Sequence, residues 1–270
     1  MKNLILMTFN TVFIMTFSLN AQTQSDEKKA TSSEDLAKQL ANPVAALISI
    51  PLQNNFDFNV GTFEGYRYTL NIQPVIPIAI NKKWNMISRT IIPVISQSDL
   101  TAISSNQNGL GDIAQSIFFS PKEVKNGLVW GVGPLLLLPT ATNDALGLKK
   151  WGAGPNALVL KLKGQWSYGA LVNHIWSYAG SGLHELNASF FQPFATYATK
   201  TGSSFTIASE NTQDWNNELF GGATGAYYAK VTKFGKQMAQ LSAGPKVYYG
   251  NNPFDPDWGF RASIIFLFPK

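Results

Sequence analysis

The chain has two histidines, His174 and His184, and no cysteine, which narrows the chemistry open to it. The imidazoles are too far apart for the His-Glu-x-x-His spacing that sets two zinc ligands on one helix face. Without thiols there are no disulfides, thiolate metal sites or lipid-modified cysteines. Neither a metal nor a cofactor is expected. A Ser-His-Asn lipase site on a strand needs its nucleophile and base on one face, as a His-x-Ser step provides. Here His174 is followed by Ile175, Trp176 and Ser177, and His184 by Glu185 and Leu186. His174 and Ser177 therefore fall on opposite faces. The chain reads as a non-enzyme, with a hydrolase kept only as an outlying alternative and His174, beside Trp176, as an interfacial residue. Glycines recur in Gly131-Val132-Gly133-Pro134, Gly152-Ala153-Gly154-Pro155 and Ala243-Gly244-Pro245. None opens a helix after a strand, so phosphate binding is excluded, and they read as strand-start or bulge signals of a β-meander.

The other chemically active residues are charges set inside apolar, alternating sequence. The elements that must position them are short strands near 44–54, 65–80, 84–96, 109–120, 127–138, 154–163, 166–178, 187–199, 203–214, 222–232, 238–249 and 258–268. Segments of about 9–11 residues suit a tilted path through hydrocarbon, where no strand edge can be left unpaired. The predicted fold is all-β, a single antiparallel transmembrane β-barrel of about 12 strands. An even count puts both ends on one side. Compact turns (Asn81-Lys82-Lys83, Pro121 to Asn126, Gly164-Gln165, Lys200-Thr201-Gly202, Lys233 to Lys236) then alternate with longer polar connections such as Gln97 to Asn108, Pro139 to Ala153, Ala179 to Leu186 and Gly250 to Asp257. Short periplasmic turns and longer extracellular loops are the expected asymmetry.

Arg or Lys facing lipid at mid-depth costs about 2–4 kcal/mol. Arg67, Arg89, Asp112, Lys161, Glu210, Lys246 and Arg261 are therefore expected to point inward. Counted from the turns, Glu210, Lys246 and Arg261 lie at comparable depth, and the lumenal polar network is expected to comprise them with Arg67, Arg89 and Asp112. Two readings stay open: paired charges that stiffen a narrow barrel, or a binding site. In the last strand Phe260, Ala262, Ile264, Phe266 and Phe268 form the lipid row, and Arg261, Ser263, Ile265 and Leu267 the lumenal row. In the second, Arg67, Thr69, Asn71 and Gln73 face inward, and the half from Val75 to Ala79 is apolar on both faces. Pro74, Pro77, Pro93 and Pro193 predict bulges or kinks, since each lacks a ladder donor.

Aromatic residues make up 13% of the chain and charged residues only 14%, well below the charge usual in soluble domains. Trp84, Trp130, Trp166, Phe118, Phe119, Phe266 and Phe268 are expected at a periplasmic girdle. Tyr66, Tyr68, Trp176, Tyr178, Trp215, Tyr248, Tyr249 and Trp258 are expected at an outer one. A soluble sandwich, the alternative, would place these rings mid-strand. The net charge of +5 forms no run, so a nucleic-acid partner is not expected.

Residues 1–21 read as a secretory signal peptide, with Lys2, an apolar run from Leu4 to Leu19 and cleavage near Ala21; a retained helical anchor is the alternative. Residues 22–42 form a polar segment holding a short helix from Glu34 to Ala41, and 43–270 the barrel.

Four motifs carry a resemblance: Thr69-Leu70-Asn71-Ile72-Gln73-Pro74-Val75-Ile76-Pro77, Gly109-Leu110-Gly111-Asp112-Ile113, Trp130-Gly131-Val132-Gly133-Pro134 with Leu138-Pro139-Thr140-Ala141-Thr142, and Trp151-Gly152-Ala153-Gly154-Pro155. Through these, and from Leu40-Ala41-Asn42-Pro43 to Leu267-Phe268-Pro269-Lys270, the chain resembles a family of bacterial outer-membrane proteins. Its members are described as transporters, as neuromedin U-like, or as phenol-degradation-pathway outer-membrane proteins. The resemblance implies a barrel related to those that pass hydrophobic compounds, and it carries over no site residue. Unlike ordinary barrels of this kind, the chain ends in Pro269-Lys270, so the barrel-insertion machinery would read Phe266 and Phe268. The residues and the resemblance together lead to passive outer-membrane passage of a small hydrophobic or anionic solute, with lipid and lipopolysaccharide as surroundings. A closed structural or receptor-like barrel is the second expectation.

Overall fold

The structure, a computed structural model, describes residues 33–40, 47–100 and 105–268. The signal-peptide reading, its cleavage site and the closing Pro269-Lys270 lie outside these residues. One helix, α1 (Ser33–Leu40), precedes fourteen strand segments: β1 (Ile48–Val60), β2 (Gly65–Ile72), β3 (Val75–Ala79), β4 (Trp84–Ser98), β5 (Asn106–Leu110), β6 (Ile113–Pro121), β7 (Leu128–Leu138), β8 (Lys150–Lys163), β9 (Trp166–Gly180), β10 (Asn187–Ala198), β11 (Ser203–Asp214), β12 (Leu219–Phe234), β13 (Gln237–Gly250) and β14 (Trp258–Phe268). Each pairs antiparallel with its neighbours, and β14 returns to β1 from Ile48↔Phe268 to Phe58↔Trp258. The sheet is a closed barrel of twelve staves, because β2 and β3 form one bent stave and β5 and β6 another. Among the described residues every stave has a neighbour on both sides, and β5 alone, paired only with β4, extends past the closed ladder.

The bends have local causes. Between β2 and β3, Pro74 has no N–H to give, yet Gln73 N still donates to Pro51 O at 2.9 Å and Thr90 N to Pro74 O at 3.2 Å, so the stave continues across the break. Between β5 and β6, Gly111 N donates to Pro93 O at 2.9 Å while Asp112 turns out of the ladder. The first stave is longer than its sequence suggested, reaching Val60 rather than ending at Asn54. Its polar run Asn54-Asn55-Phe56-Asp57 looks like a loop, but the odd residues are lumenal and the even ones, Asn54 and Phe56, pair outward with Ala262 and Phe260.

The glycine–proline motifs sit inside strands rather than at their starts. Pro134 and Pro155 oppose each other across β7 and β8, so each missing N–H points to the far neighbour. There the ladder lapses: β6/β7 skips from Ser116↔Leu135 to Phe119↔Val132, and β8/β9 from Ala153↔Trp176 to Asn156↔Asn173. Pro193 does the same between β10 and β11, Pro245 between β12 and β13, and Pro74 between the bent stave and β4. Five alternate seams are thus interrupted near mid-height, each beside a proline. At three of them the preceding glycine permits close approach, since a Cβ on Gly133, Gly154 or Gly244 would collide with the carbonyl oxygen of Ile117, His174 or Ala226 respectively.

Inside the barrel, one wall toward the short-turn end is filled by Ile87, Phe118, Val129, Leu158, Leu160 and Leu171. Helix α1 packs into the same end, where Leu36 and Ala37 are buried against Leu47, Ala198, Val231 and Leu267. Two expectations change here. Phe118 is lumenal and 2% exposed, whereas its neighbour Phe119 points out, since adjacent residues cannot share a face. Lys161 lies on the outer face of β8, opposite Tyr168, and reaches the turn to donate to Asn126 O at 2.5 Å. Its long stem carries the charge past the apolar belt.

Candidate functional site

Two of the cavities lined by the described residues lie within the barrel. The one toward the short turns, about 310 Å³, is lined by Ala37, Leu40 and the lower halves of the strands. The other, about 470 Å³, opens toward the long loops between apolar walls that include Leu135, Leu137, Ile175 and Phe190. Gln53, Gln73, Arg89, Leu171, Gln192 and Arg261 line both and form a polar waist. Their elements bring them together by strict alternation: Gln53 on β1, Arg89 on β4, Gln192 on β10 and Arg261 on β14 all occupy lumenal positions.

The waist is cross-braced. Arg261 Nη1 and Nη2 donate to Glu210 Oε1 and Oε2, both at 2.8 Å, while Arg261 Nε donates to Asn55 Oδ1 at 2.7 Å. This fork spans the chord from β14 to β11 and passes over the Tyr227 ring, 5.3 Å from its centroid. Gln192 Nε2 adds a bond to Glu210 Oε1 at 3.2 Å. Glu210 sits where the β10/β11 ladder lapses beside Pro193. Arg89 belongs to a different chain of contacts: its Nη2 donates to Gln73 Oε1 at 2.9 Å, and Gln73 Nε2 to Gln53 Oε1 at 3.0 Å. Among the described residues Arg89 has no ion-pair partner.

Lys246 does not join Glu210 and Arg261 directly. Its Nζ pairs with Asp57 Oδ1 at 2.8 Å, an oxygen that also accepts from Tyr248 Oη at 2.6 Å. Asp57 lies beyond residue 54, the predicted end of the first strand, in the part of β1 that reads as a loop from sequence. Tyr248 leaves the expected outer girdle for this buried cluster, and Tyr249 faces out instead. Arg67 Nε donates to Gln97 Oε1 at 3.1 Å.

Asp112 is not part of the waist. It stands at the β5/β6 break, where Oδ1 accepts from Ala141 N at 3.1 Å and Oδ2 from Leu148 N at 2.6 Å. It thereby folds the loop 139–149 inward and sets Leu148 on the wall of the larger cavity. The loop 181–186 brings Leu186 to the same wall, with Leu186 N bonded to Ser177 Oγ at 2.9 Å and Glu185 to Lys150 at 2.5 Å. The hydrogen bonds from Lys150 and then Ser177 hold the Glu185 carboxyl below its ordinary range.

On the outer surface, Trp84, Trp130 and Trp166 stand near the short turns, and Trp84 meets Trp130 edge to face at 5.7 Å. Trp176, Trp215 and Trp258 stand near the long loops, with Trp258 stacked on Phe58 at 4.3 Å. His174 lies in this outer belt, 4.1 Å from the Trp176 ring. Its Nδ1 is 2.7 Å from Ser189 Oγ, which also accepts from Trp215 Nε1 at 2.9 Å. A search along one strand could not find this pair, since Ser189 lies on the neighbouring strand. His174 Nε2 is buried and has no hydrogen-bond partner among the described residues.

No family model and no curated protein sequence matches the chain. Among solved structures, an outer membrane channel from Pseudomonas putida F1 superposes with a TM-score of 0.67 at 14% identity, covering 91% of this chain and 100% of that one. The likeness is one of fold. The toluene transporter TodX of Pseudomonas putida (TM-score 0.42, 10% identity, 86% of this chain and 92% of that one) and the CymD monoaromatic hydrocarbon channel (TM-score 0.38, 10% identity, 85% and 91%) are too distant to add to it.

Proposed function

We propose that the chain is a passive channel of a Gram-negative outer membrane that carries a small hydrophobic or anionic solute. Its short turns face the periplasm and its long loops the exterior. The observation that carries this reading is the pair of cavities meeting at one polar waist along the barrel axis. Selectivity in such a path comes from its radius and its lining charge. A barrel of twelve staves is too narrow for the broad water channel of larger porins. The outward apolar rows and the Trp-bearing ends support hydrocarbon as the solvent for the outer face. The fold shared with an outer membrane channel supports the same assignment. In this reading a signal peptide is removed near Ala21, lipid and lipopolysaccharide surround the barrel, and the insertion machinery reads its last strand.

The test is swelling of liposomes loaded with the purified protein, over a panel of phenolic, fatty-acid and sugar solutes. Faster entry of phenolic or fatty-acid solutes than of sugars supports the channel, and rates equal to empty liposomes overturn it. Recovery of the mature protein as monodisperse material in detergent-free buffer, with no change in gel mobility on boiling, overturns the membrane assignment itself. The seating of α1 in the short-turn end favours a second reading, a closed structural or receptor-like barrel. Planar-bilayer recordings separate the two: a barrel that stays silent even after Glu210→Ala or Arg261→Ala is closed.

A further inference from the structure

The charges of the lumen are not evenly matched. Lys246 has Asp57. Arg261 has Glu210 on both Nη atoms and Asn55 on Nε, so all three of its nitrogens are engaged and its charge has a carboxylate partner. Arg89 has only a neutral partner, through Nη2 to Gln73, and its Nε and Nη1 make no hydrogen bond among the described residues. The waist therefore holds two guanidiniums against one carboxylate. A buried cation without a counterion is costly, and a guanidinium fork is the geometry that takes a carboxylate through two parallel bonds. Arg89 stands at the floor of the 470 Å³ cavity, a size usual for small-ligand sites. Above it rise Ile91, Leu135, Leu137, Leu171, Ile175 and Phe190.

We propose that this outer cavity binds an amphiphilic carboxylate, the acid group on the free edge of Arg89 and the apolar body against the walls above it. The assignment rests on the channel reading for its purpose, but the binding step stands or falls separately. Glu210, the nearest opposing charge, is neutralised by Arg261 and leaves the field at the floor positive. A neutral hydrocarbon would fit the walls but would leave Arg89 uncompensated.

The experiment uses the full-length protein in detergent and compares benzoate and octanoate with the uncharged benzamide and octanol by isothermal titration. A charge-assisted paired bond implies about 10-fold or more tighter binding of each carboxylate than of its neutral analogue. Arg89→Gln should abolish that preference and leave the neutral analogues unchanged. Arg89→Lys, which keeps the charge and loses the fork, should weaken carboxylate binding severalfold while retaining the preference, and it serves where Arg89→Gln fails to show a heat-modifiable folded band. Equal affinity for acid and neutral analogue in the unaltered protein, or carboxylate affinity unchanged in both variants, overturns the proposal. Swelling assays on the same samples keep the two failures apart. Passage without carboxylate preference sinks this site and spares the channel. Arg89-dependent binding without passage does the reverse.

Discussion

At the scale of single residues, the lumen is governed by whether a charge has its partner. Lys246 and Asp57 are almost wholly withdrawn from solvent, with side chains 4% and 10% exposed. Removing one member of such a pair leaves the other buried and uncompensated, which costs about 3–5 kcal/mol. Lys246→Met should lower stability by about that amount in urea unfolding followed by tryptophan fluorescence, and adding Asp57→Asn should recover a large part of it. A double variant no more stable than Lys246→Met would show that Asp57 is held by Tyr248 alone. The inward aim of Lys246 was legible in the sequence, because a cation facing hydrocarbon is expensive. Its partner was not, since Asn54-Asn55 is a turn signal wherever depth is unknown. Lys161 shows the opposite case: near a strand end a lysine escapes lipid by reaching along the wall, so cost alone does not fix its face.

Among the elements, the glycine–proline pairs do more than the turn chemistry they resemble. A proline in a ladder normally marks an edge or a bulge, and a barrel has no edge. Here the prolines silence one side of a strand while the other side keeps its register, as Pro134 and Pro155 show by facing each other. The sequence revealed the residues but not that they fall on alternate seams, because seam identity exists only after closure. Gly154→Val tests the close approach: the new side chain would start inside the His174 carbonyl, so backbone must move, with a loss on the order of 1–3 kcal/mol from overpacking. An unfolding midpoint equal to that of the unaltered protein would refute it. The loops allow a test by pH. Glu185 has a lowered folded pKa, so its contacts to Lys150 and Ser177 contribute stability above the unfolded carboxylate value of about 4.3, and that contribution fades as pH falls through the folded value. Hydrogen exchange of Leu186, whose amide is held by Ser177, should therefore stay slow at pH 7 and accelerate relative to the barrel strands below about pH 4. Uniform protection across that range would exclude Glu185 as the clasp.

For the whole molecule, the strand count, the antiparallel order and the asymmetry of turns and loops were all written in alternation and punctuation, which depend only on neighbours along the chain. The position of α1 was not. Ser33–Leu40 carries a Glu34–Lys38 pair at 2.7 Å and a short apolar side, signals of a helix that say nothing of what covers it. The covering surface is assembled from Ala198, Val231 and Leu267, far apart in sequence and adjacent only once the barrel has closed. Because Ala37 and Leu40 line the smaller cavity, the helix occupies the route from the waist to the short-turn end. Deleting residues 33–40 removes apolar contacts at one mouth while leaving every ladder bond between staves in place. The barrel should stay heat-modifiable on gels, and its single-channel conductance should rise at least severalfold. Removing the helix also discriminates between the two functional readings: a barrel that is folded and still silent without it has its barrier at the Arg261–Glu210 brace, and the path through the waist is then closed by the wall itself rather than by the helix.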